Sequence, residues 1–197
     1  MPEDREGTPA HGEALWYASM EGHRETVEVL LGQGAGIDLQ KKDGSTALMV
    51  ACQNGHREVV GVLVGKGAGI DLQMEDGRTA LMLASQNGHG EVIEVLLGKG
   101  ASIDLQQKDG CTALMLASVN GHGEVVEVLV GKGASIDLQA KDGWTALMLA
   151  SFKGHWEVVG QLLGKGASVD LQANDGRTAL DFASKNRRVA DLLRQHS

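Results

Sequence analysis

Apolar residues along the chain fall into pairs of short bursts that have helical spacing. In residues 76–108 the two bursts are Leu81, Leu83, Ala84 and then Val92, Ile93, Leu96, Leu97. Spacing of this kind predicts two amphipathic helices separated by a break. Neither helix reaches the ~12 residues at which an isolated helix becomes marginally stable in water. We therefore expect each helix pair to fold only against neighbouring pairs.

Polar and glycine positions mark where these helices begin and end. Thr79 is placed to cap the first helix through its hydroxyl oxygen, and Gly88 ends it. Glu91 suits the positive end of the second helix, and Gly100 supplies a left-handed residue after it. Residues 102–110 have turn chemistry and no apolar stripe, which predicts an extended turn or a short hairpin.

The pattern repeats along almost the whole chain. The tetrad Asp-Gly-any-Thr recurs every 33 residues, starting at Asp43, Asp76, Asp109, Asp142 and Asp175. Segments 76–108 and 109–141 are identical at 28 of 33 positions. The period predicts a stack of repeats whose stability comes from each repeat and its nearest neighbours. The predicted repeats are 10–42, 43–75, 76–108, 109–141, 142–174 and 175–197, the first and last acting as caps, with 1–9 as a disordered leader.

These motifs carry a resemblance to a known family. The period, the Asp-Gly turn, Thr-Ala-Leu-Met-Leu-Ala-Ser and Gly-His-any-Glu-Val-Val resemble ankyrin repeats over residues 10–197. The resemblance implies an all-α solenoid of paired antiparallel helices with extended turns or β-hairpin loops. Methionine stands where the family commonly has a histidine, at Met49, Met82, Met115 and Met148. Flexible apolar side chains replace a polar tie there, so we expect less rigidity between repeats.

Composition excludes several classes of function. The chain has 197 residues, 26 acidic against 18 basic side chains and a net charge of -8, which disfavours nucleic acid as the main partner. Its longest apolar runs are far shorter than the ~20 residues that span a bilayer. The polar, acidic start shows no signal or transit peptide, and two cysteines make no disulfide framework. We expect a cytoplasmic or nuclear protein.

Recurring polar residues favour structure over chemistry. Histidines 23, 56, 89, 122 and 155 cannot share a metal ion, because stacked helices lie ~8–10 Å apart and zinc–nitrogen bonds are ~2.0–2.1 Å long. Carboxylates such as Asp76, Glu91 and Asp104 repeat along the chain, whereas catalysis needs different groups to converge at one place. Cys52 and Cys111 are expected to lie too far apart to pair. We predict no enzyme activity, no cofactor and no metal.

Positions at which the repeats differ point to a binding surface. The resemblance implies that turn tips and inner helices line a concave face that binds partner proteins. Aromatic residues concentrate in 142–174, and tryptophan and arginine dominate interface hot spots. We predict an apolar centre flanked by cations; the centre is Trp144, Phe152, Val119 and Cys111, and the cations are Arg78, Lys108, Lys141 and Arg177.

The sequence therefore predicts a protein-interaction module. Its expected partner is a protein or peptide that carries acidic residues beside an apolar anchor, and the chain is expected to be a monomer. The alternative is a structural or regulatory spacer within a larger protein, whose concave face stays empty. The outer helices also contain Gly61, Gly123 and Gly160, where alanine should raise stability.

Overall fold

The computed structural model describes residues 9–183 and 186–196. The predicted leader lies outside the described residues up to position 8, and the first helix begins at Pro9. The described part is all-α and contains no strand, which confirms the predicted fold class.

Helices in the described residues alternate between an inner helix, which follows a turn tip, and an outer helix. The inner helices are α1 (Pro9–Met20), α3 (Ala47–Gln53), α5 (Ala80–Gln86), α7 (Ala113–Asn120), α9 (Ala146–Lys153) and α11 (Ala179–Phe182). The outer helices are α2 (Arg24–Gly32), α4 (Arg57–Gly65), α6 (Gly90–Gly98), α8 (Gly123–Gly131), α10 (Trp156–Gly164) and α12 (Arg187–Arg194). The two short helices predicted for residues 76–108 are thus confirmed as α5 and α6.

The chain forms two compact units. The first unit comprises residues 1–84 and 91–102, and the second comprises 85–90 and 103–197. In the first unit α1 packs on α3 and α2 on α4. In the second unit α7, α9 and α11 pack in series, as do α8, α10 and α12. Within each unit, inner helices therefore contact inner helices and outer helices contact outer helices, as stacked helix pairs require.

Threonine caps fix the start of the inner helices. Thr79 Oγ1 accepts a hydrogen bond from the Met82 backbone nitrogen at 3.3 Å. Thr46, Thr112 and Thr145 do the same for the methionine three residues on, at 3.2–3.3 Å. The capping threonines and these methionines are buried, so the cap and the apolar filler belong to one core. The predicted role of Thr79 is confirmed.

The turn tips are closed by backbone hydrogen bonds like those at the end of a β-hairpin, but no strand flanks them in the described residues. In one of them the Gln107 nitrogen donates to the Cys111 carbonyl oxygen at 3.0 Å, and the Gly110 nitrogen donates to the Gln107 oxygen at 2.8 Å. Gly110 has φ 89°, and a Cβ there would lie 2.7 Å from the Lys141 nitrogen. Only glycine allows this turn and the close approach of the next tip, which bonds through Lys141 N to the Asp109 oxygen at 2.8 Å.

Glutamines link successive turn tips within each unit. Gln106 Nε2 donates to the Gly110 oxygen at 2.7 Å and to the Gln139 oxygen, 33 residues on, at 3.1 Å. Gln40 makes the corresponding pair of bonds in the first unit, the longer one to the Gln73 oxygen at 3.3 Å. Each glutamine therefore closes its own turn and holds the next one.

Aspartates and histidines add further links. Asp104 accepts hydrogen bonds from the Ser135 backbone nitrogen at 3.0 Å and from its hydroxyl at 2.6 Å. His122 and His155 donate from Nε2 to inner-helix carbonyl oxygens 36 residues earlier, at 3.0 and 3.1 Å. These histidines are structural ties, as predicted. Together with the glutamines they supply polar links between repeats that the methionines do not. Reduced rigidity between repeats stays a prediction.

Candidate functional site

Trp144 sits at a turn tip of the second unit and is held there by its backbone. Its nitrogen donates to Asp142 Oδ1 at 3.1 Å, and its oxygen accepts from the Ala140 nitrogen at 2.9 Å. The indole is half-buried and lies over the ring of Phe182, with centroids 4.0 Å apart and planes tilted by 36°. Trp144 is thus partly a packing residue between one repeat and the next.

Phe152 completes an aromatic cluster, by which we mean Trp144, Phe152 and Phe182. Phe152 projects from inner helix α9, meets Trp144 edge-on with centroids 5.6 Å apart, and stands 6.4 Å from Phe182. Its side chain is 58% exposed, whereas Phe182 is buried. The large apolar side chain of Phe152 is therefore exposed to solvent on one side and packs against two aromatic rings on the other.

Phe182 is the member of the cluster that sequence reasoning missed. It lies 38 residues after Trp144, as the last residue of the short inner helix α11. The register offers a signal for it, because Phe182 stands 33 residues after Leu149, an inner-helix residue of the preceding repeat. A tip side chain that folds over the next repeat would reach that position.

Positive groups surround the aromatic cluster. The Arg177 guanidinium lies 4.4 Å from the Phe182 ring centroid, and its Nη2 is 2.6 Å from Asp175 Oδ2. This hydrogen bond is the main reason why the pKa of Asp175 is lowered. Both side chains of the pair remain exposed. Lys153, which was not predicted, places its Nζ 5.8 Å from the Phe152 ring.

Two predicted lysines carry exposed charge. Lys108 and Lys141 are both exposed at turn tips of the second unit. Within residues 9–183 and 186–196, neither takes part in an ion pair. Their charges are therefore available to a ligand.

Val119 and Cys111 belong to the preceding repeat and are half-buried. The Val119 carbonyl oxygen accepts the bond from His155, so its backbone is structural while part of its side chain faces solvent. Burial, with the nearby Asp109 carboxylate, raises the pKa of Cys111 to about 12. A thiol in this state suits apolar contact and does not suit nucleophilic attack.

Arg78 lies in the first unit. Its Nε is 2.7 Å from Asp76 Oδ2, so its guanidinium is already paired within its own turn. Arg78 thus belongs to the first unit, whereas the aromatic cluster belongs to the second.

Reactive groups are not clustered in the described residues. No group of three His, Cys, Asp or Glu side chains there is arranged to hold a metal ion. Both cysteines are free thiols. No helix of the described part is long and apolar enough to cross a membrane.

Within each unit, helix pairs stack on one another and hydrogen bonds link one turn tip to the next. The residues at the tips and at the ends of the inner helices differ from repeat to repeat. These features define a tandem-repeat protein that presents varied side chains at equivalent positions. A family model for ankyrin repeats, which holds three copies of the repeat, matches residues 15–107, 63–140, 91–173 and 114–197. The chain therefore belongs to the ankyrin-repeat family. No curated protein matches the sequence. Ankyrin repeats are generally protein–protein interaction modules and are typically not catalysts.

Proposed function

We propose that the chain is a protein-interaction module without chemistry of its own, and that the aromatic cluster is the centre of its partner-binding surface. The observation that supports this is the state of Phe152, which is 58% exposed and yet packed against Trp144. A ring held in its binding position loses little freedom when a partner covers it. Aromatic anchors of this kind carry most of the energy of many interfaces.

The surroundings of the aromatic cluster suggest the chemistry of the partner. Lys141, Lys108 and Lys153 are exposed, and Val119 and Cys111 are half-buried apolar residues of the preceding repeat. A peptide or protein segment with an apolar anchor and adjacent acidic residues would complement both features. Exposed lysines at a rim act mainly by steering the encounter, so the association rate should fall as salt is raised. We propose a monomer that works in the cytoplasm or nucleus.

Phe152→Ala is the sharpest test, because this side chain makes the smallest contribution to the core. A binding partner captured with the wild-type chain is purified, and its Kd is measured for both proteins. We expect Phe152→Ala to weaken binding at least about tenfold, which corresponds to ~1.4 kcal/mol. Val29→Ala is the matched control, because Val29 is 57% exposed on outer helix α2, and it should leave Kd unchanged.

Trp144→Ala is a second test of the binding surface, but this substitution also changes packing. It uncovers Phe182 as well as removing the tip ring, so its melting temperature must be measured beside its Kd. If Phe152→Ala and Trp144→Ala both bind the partner as tightly as wild type, the aromatic cluster is not the site. If no protein is retained by the wild-type chain, the alternative function as a structural or regulatory spacer replaces this proposal.

A further inference from the structure

The first unit contains a groove of its own, with a volume of about 560 Å³. Helices α1 and α3 and two turn tips form it, and its lining includes Trp16, Met20, Met74 and Leu83 together with Glu21 and Asp43. We call it the acidic groove. Trp16 is fixed in place because its Nε1 donates to Ser45 Oγ at 3.3 Å. Two half-buried methionines give the groove an apolar and adaptable wall.

The charged side chains that line the acidic groove are all negative. Its lining holds two carboxylates and no lysine or arginine. Within the described residues neither Glu21 nor Asp43 takes part in an ion pair. Hydrogen bonds from the hydroxyl and backbone of Ser45 lower the pKa of Asp43, which therefore stays ionised at neutral pH. Both carboxylates are exposed at the edge of the groove.

Cations close to the acidic groove are largely engaged elsewhere. Lys41 Nζ is 3.0 Å from Glu13 Oε1 and 5.3 Å from the Trp16 ring centroid. Arg78 is paired with Asp76, and Lys42 is exposed outside the lining. The Arg78 charge contributes to the lowered pKa of Asp43, but no cation of the described residues lies within ion-pair distance of Glu21 or Asp43, so both can still pair with the cations of a ligand.

The two units also differ in net charge. The first unit has 15 acidic and 8 basic side chains, a net of -7, while the second has 11 and 10, a net of -1. The field of the first unit thus favours a cationic ligand, whereas Lys153 beside the aromatic cluster favours an anionic one.

We propose that the acidic groove is a second docking site, and that its occupant is a partner segment in which lysine or arginine alternates with aliphatic residues. The aliphatic side chains lie against the half-buried Met20 and Met74, beneath which Leu83 is buried. The cations pair with Glu21 and Asp43. This site is separate from the aromatic cluster and selects a segment of the opposite charge.

Methyl NMR of the full chain with ¹³C-methyl methionine tests the proposal. The ligand is an acetylated, amidated hexapeptide of alternating arginine and leucine, and the control peptide replaces each arginine by glutamate. We expect the arginine peptide to shift the Met20 and Met74 signals and to leave the buried Met115 and Met148 of the second unit unmoved. The glutamate peptide should shift neither Met20 nor Met74.

Charge-removing variants then test the specific carboxylates. Glu21→Gln combined with Asp43→Asn should weaken binding of the arginine peptide at least about tenfold, and asparagine keeps the Oδ1 acceptor for the Ser45 nitrogen. Asp142→Asn is the matched control, because Asp142 Oδ1 accepts from the Trp144 nitrogen in the equivalent turn. It should leave binding unchanged, and so should Phe152→Ala, which separates this proposal from the proposed function.

Three results would overturn the proposal. The first is an absence of shifts at Met20 and Met74 with the arginine peptide. The second is equal binding by the glutamate peptide or by the double variant. The third is movement of these signals with protein concentration alone, which would assign the acidic groove to a second copy of the chain.

Discussion

Glycines in the middle of two outer helices should limit the stability of the chain. Gly61 and Gly160 are each the fifth of nine residues, in α4 and α10. A Cβ built at either position meets no atom within 4 Å, so alanine fits without a clash. The same position is Glu28, Glu94 or Glu127 in other repeats, all exposed. Alanine is better than glycine in a helix interior by ~1 kcal/mol, so each substitution should raise Tm by roughly 2–4 °C.

At Gly123 the effects of helix propensity and of packing on an alanine substitution can be distinguished. It is the first residue of α8, and a Cβ there would lie 3.2 Å from Gln161 Oε1 and 3.4 Å from Nε2. The sequence led us to expect the same gain at all three glycines. The structure predicts a smaller change at Gly123, because the first position gains less from propensity and the Gln161 amide must move.

Circular dichroism at 222 nm during heating measures Tm for the three single variants and for Gly61→Ala combined with Gly160→Ala. Per-repeat contributions sum in such proteins, so the two increments should add. A fall in Tm for Gly160→Ala, or a rise for Gly123→Ala as large as for Gly61→Ala, would refute the reasoning.

Two further predictions concern ionisable groups. Cys111 is half-buried and its pKa is raised to about 12. It should react with iodoacetamide at pH 7.5 at least about a hundredfold more slowly in the folded chain than in urea, as followed by mass spectrometry of its peptide; equal rates would contradict the raised pKa. Asp181 accepts hydrogen bonds from the Thr178 nitrogen and hydroxyl at 2.8 and 2.9 Å, and these bonds lower its pKa. The ionised carboxylate therefore stabilises the folded chain above the ordinary pKa of about 3.9, and this stabilisation is lost as pH falls through the lowered pKa. Asp181→Ala should therefore lower Tm at pH 7, with a difference from wild type that shrinks below about pH 4; a constant difference would mean that the charge is not responsible.

Features governed by local pattern and period could be predicted from the sequence. The helix pair, the Thr79 cap and the Asp-Gly turn each depend on residues that are close in the chain, and the 33-residue interval transfers them to every repeat. Trp144 and Phe152 could be brought together for the same reason, since both belong to one repeat.

Contacts between repeats were harder to predict, because they depend on side-chain direction. The 33-residue register places Phe182 on the following inner helix, but it does not show that the Trp144 indole turns onto Phe182 and becomes half-buried. Gln106 and Asp104 look like solvated turn residues in the sequence, yet each bonds to the neighbouring repeat. A polar residue that repeats with the period is as suited to a link between repeats as to solvent, and only the geometry distinguishes the two.

Variation at the tips is possible because each turn is closed through the backbone of its tip residue, whereas the side-chain contacts differ from tip to tip, as with Trp144 on Phe182 and Ser45 with Trp16. After each Asp-Gly, the next residue donates its nitrogen to the aspartate Oδ1 at 2.8–3.1 Å and accepts a bond at its carbonyl oxygen at 2.9–3.0 Å; these residues are Ser45, Arg78, Cys111, Trp144 and Arg177. The glutamine links likewise end on carbonyl oxygens. Side chains as different as serine, arginine and tryptophan can therefore occupy the same place in the turn. Links between successive tips are made by backbone groups and by a glutamine that recurs in the repeats, which leaves the side chain of the tip residue open to variation.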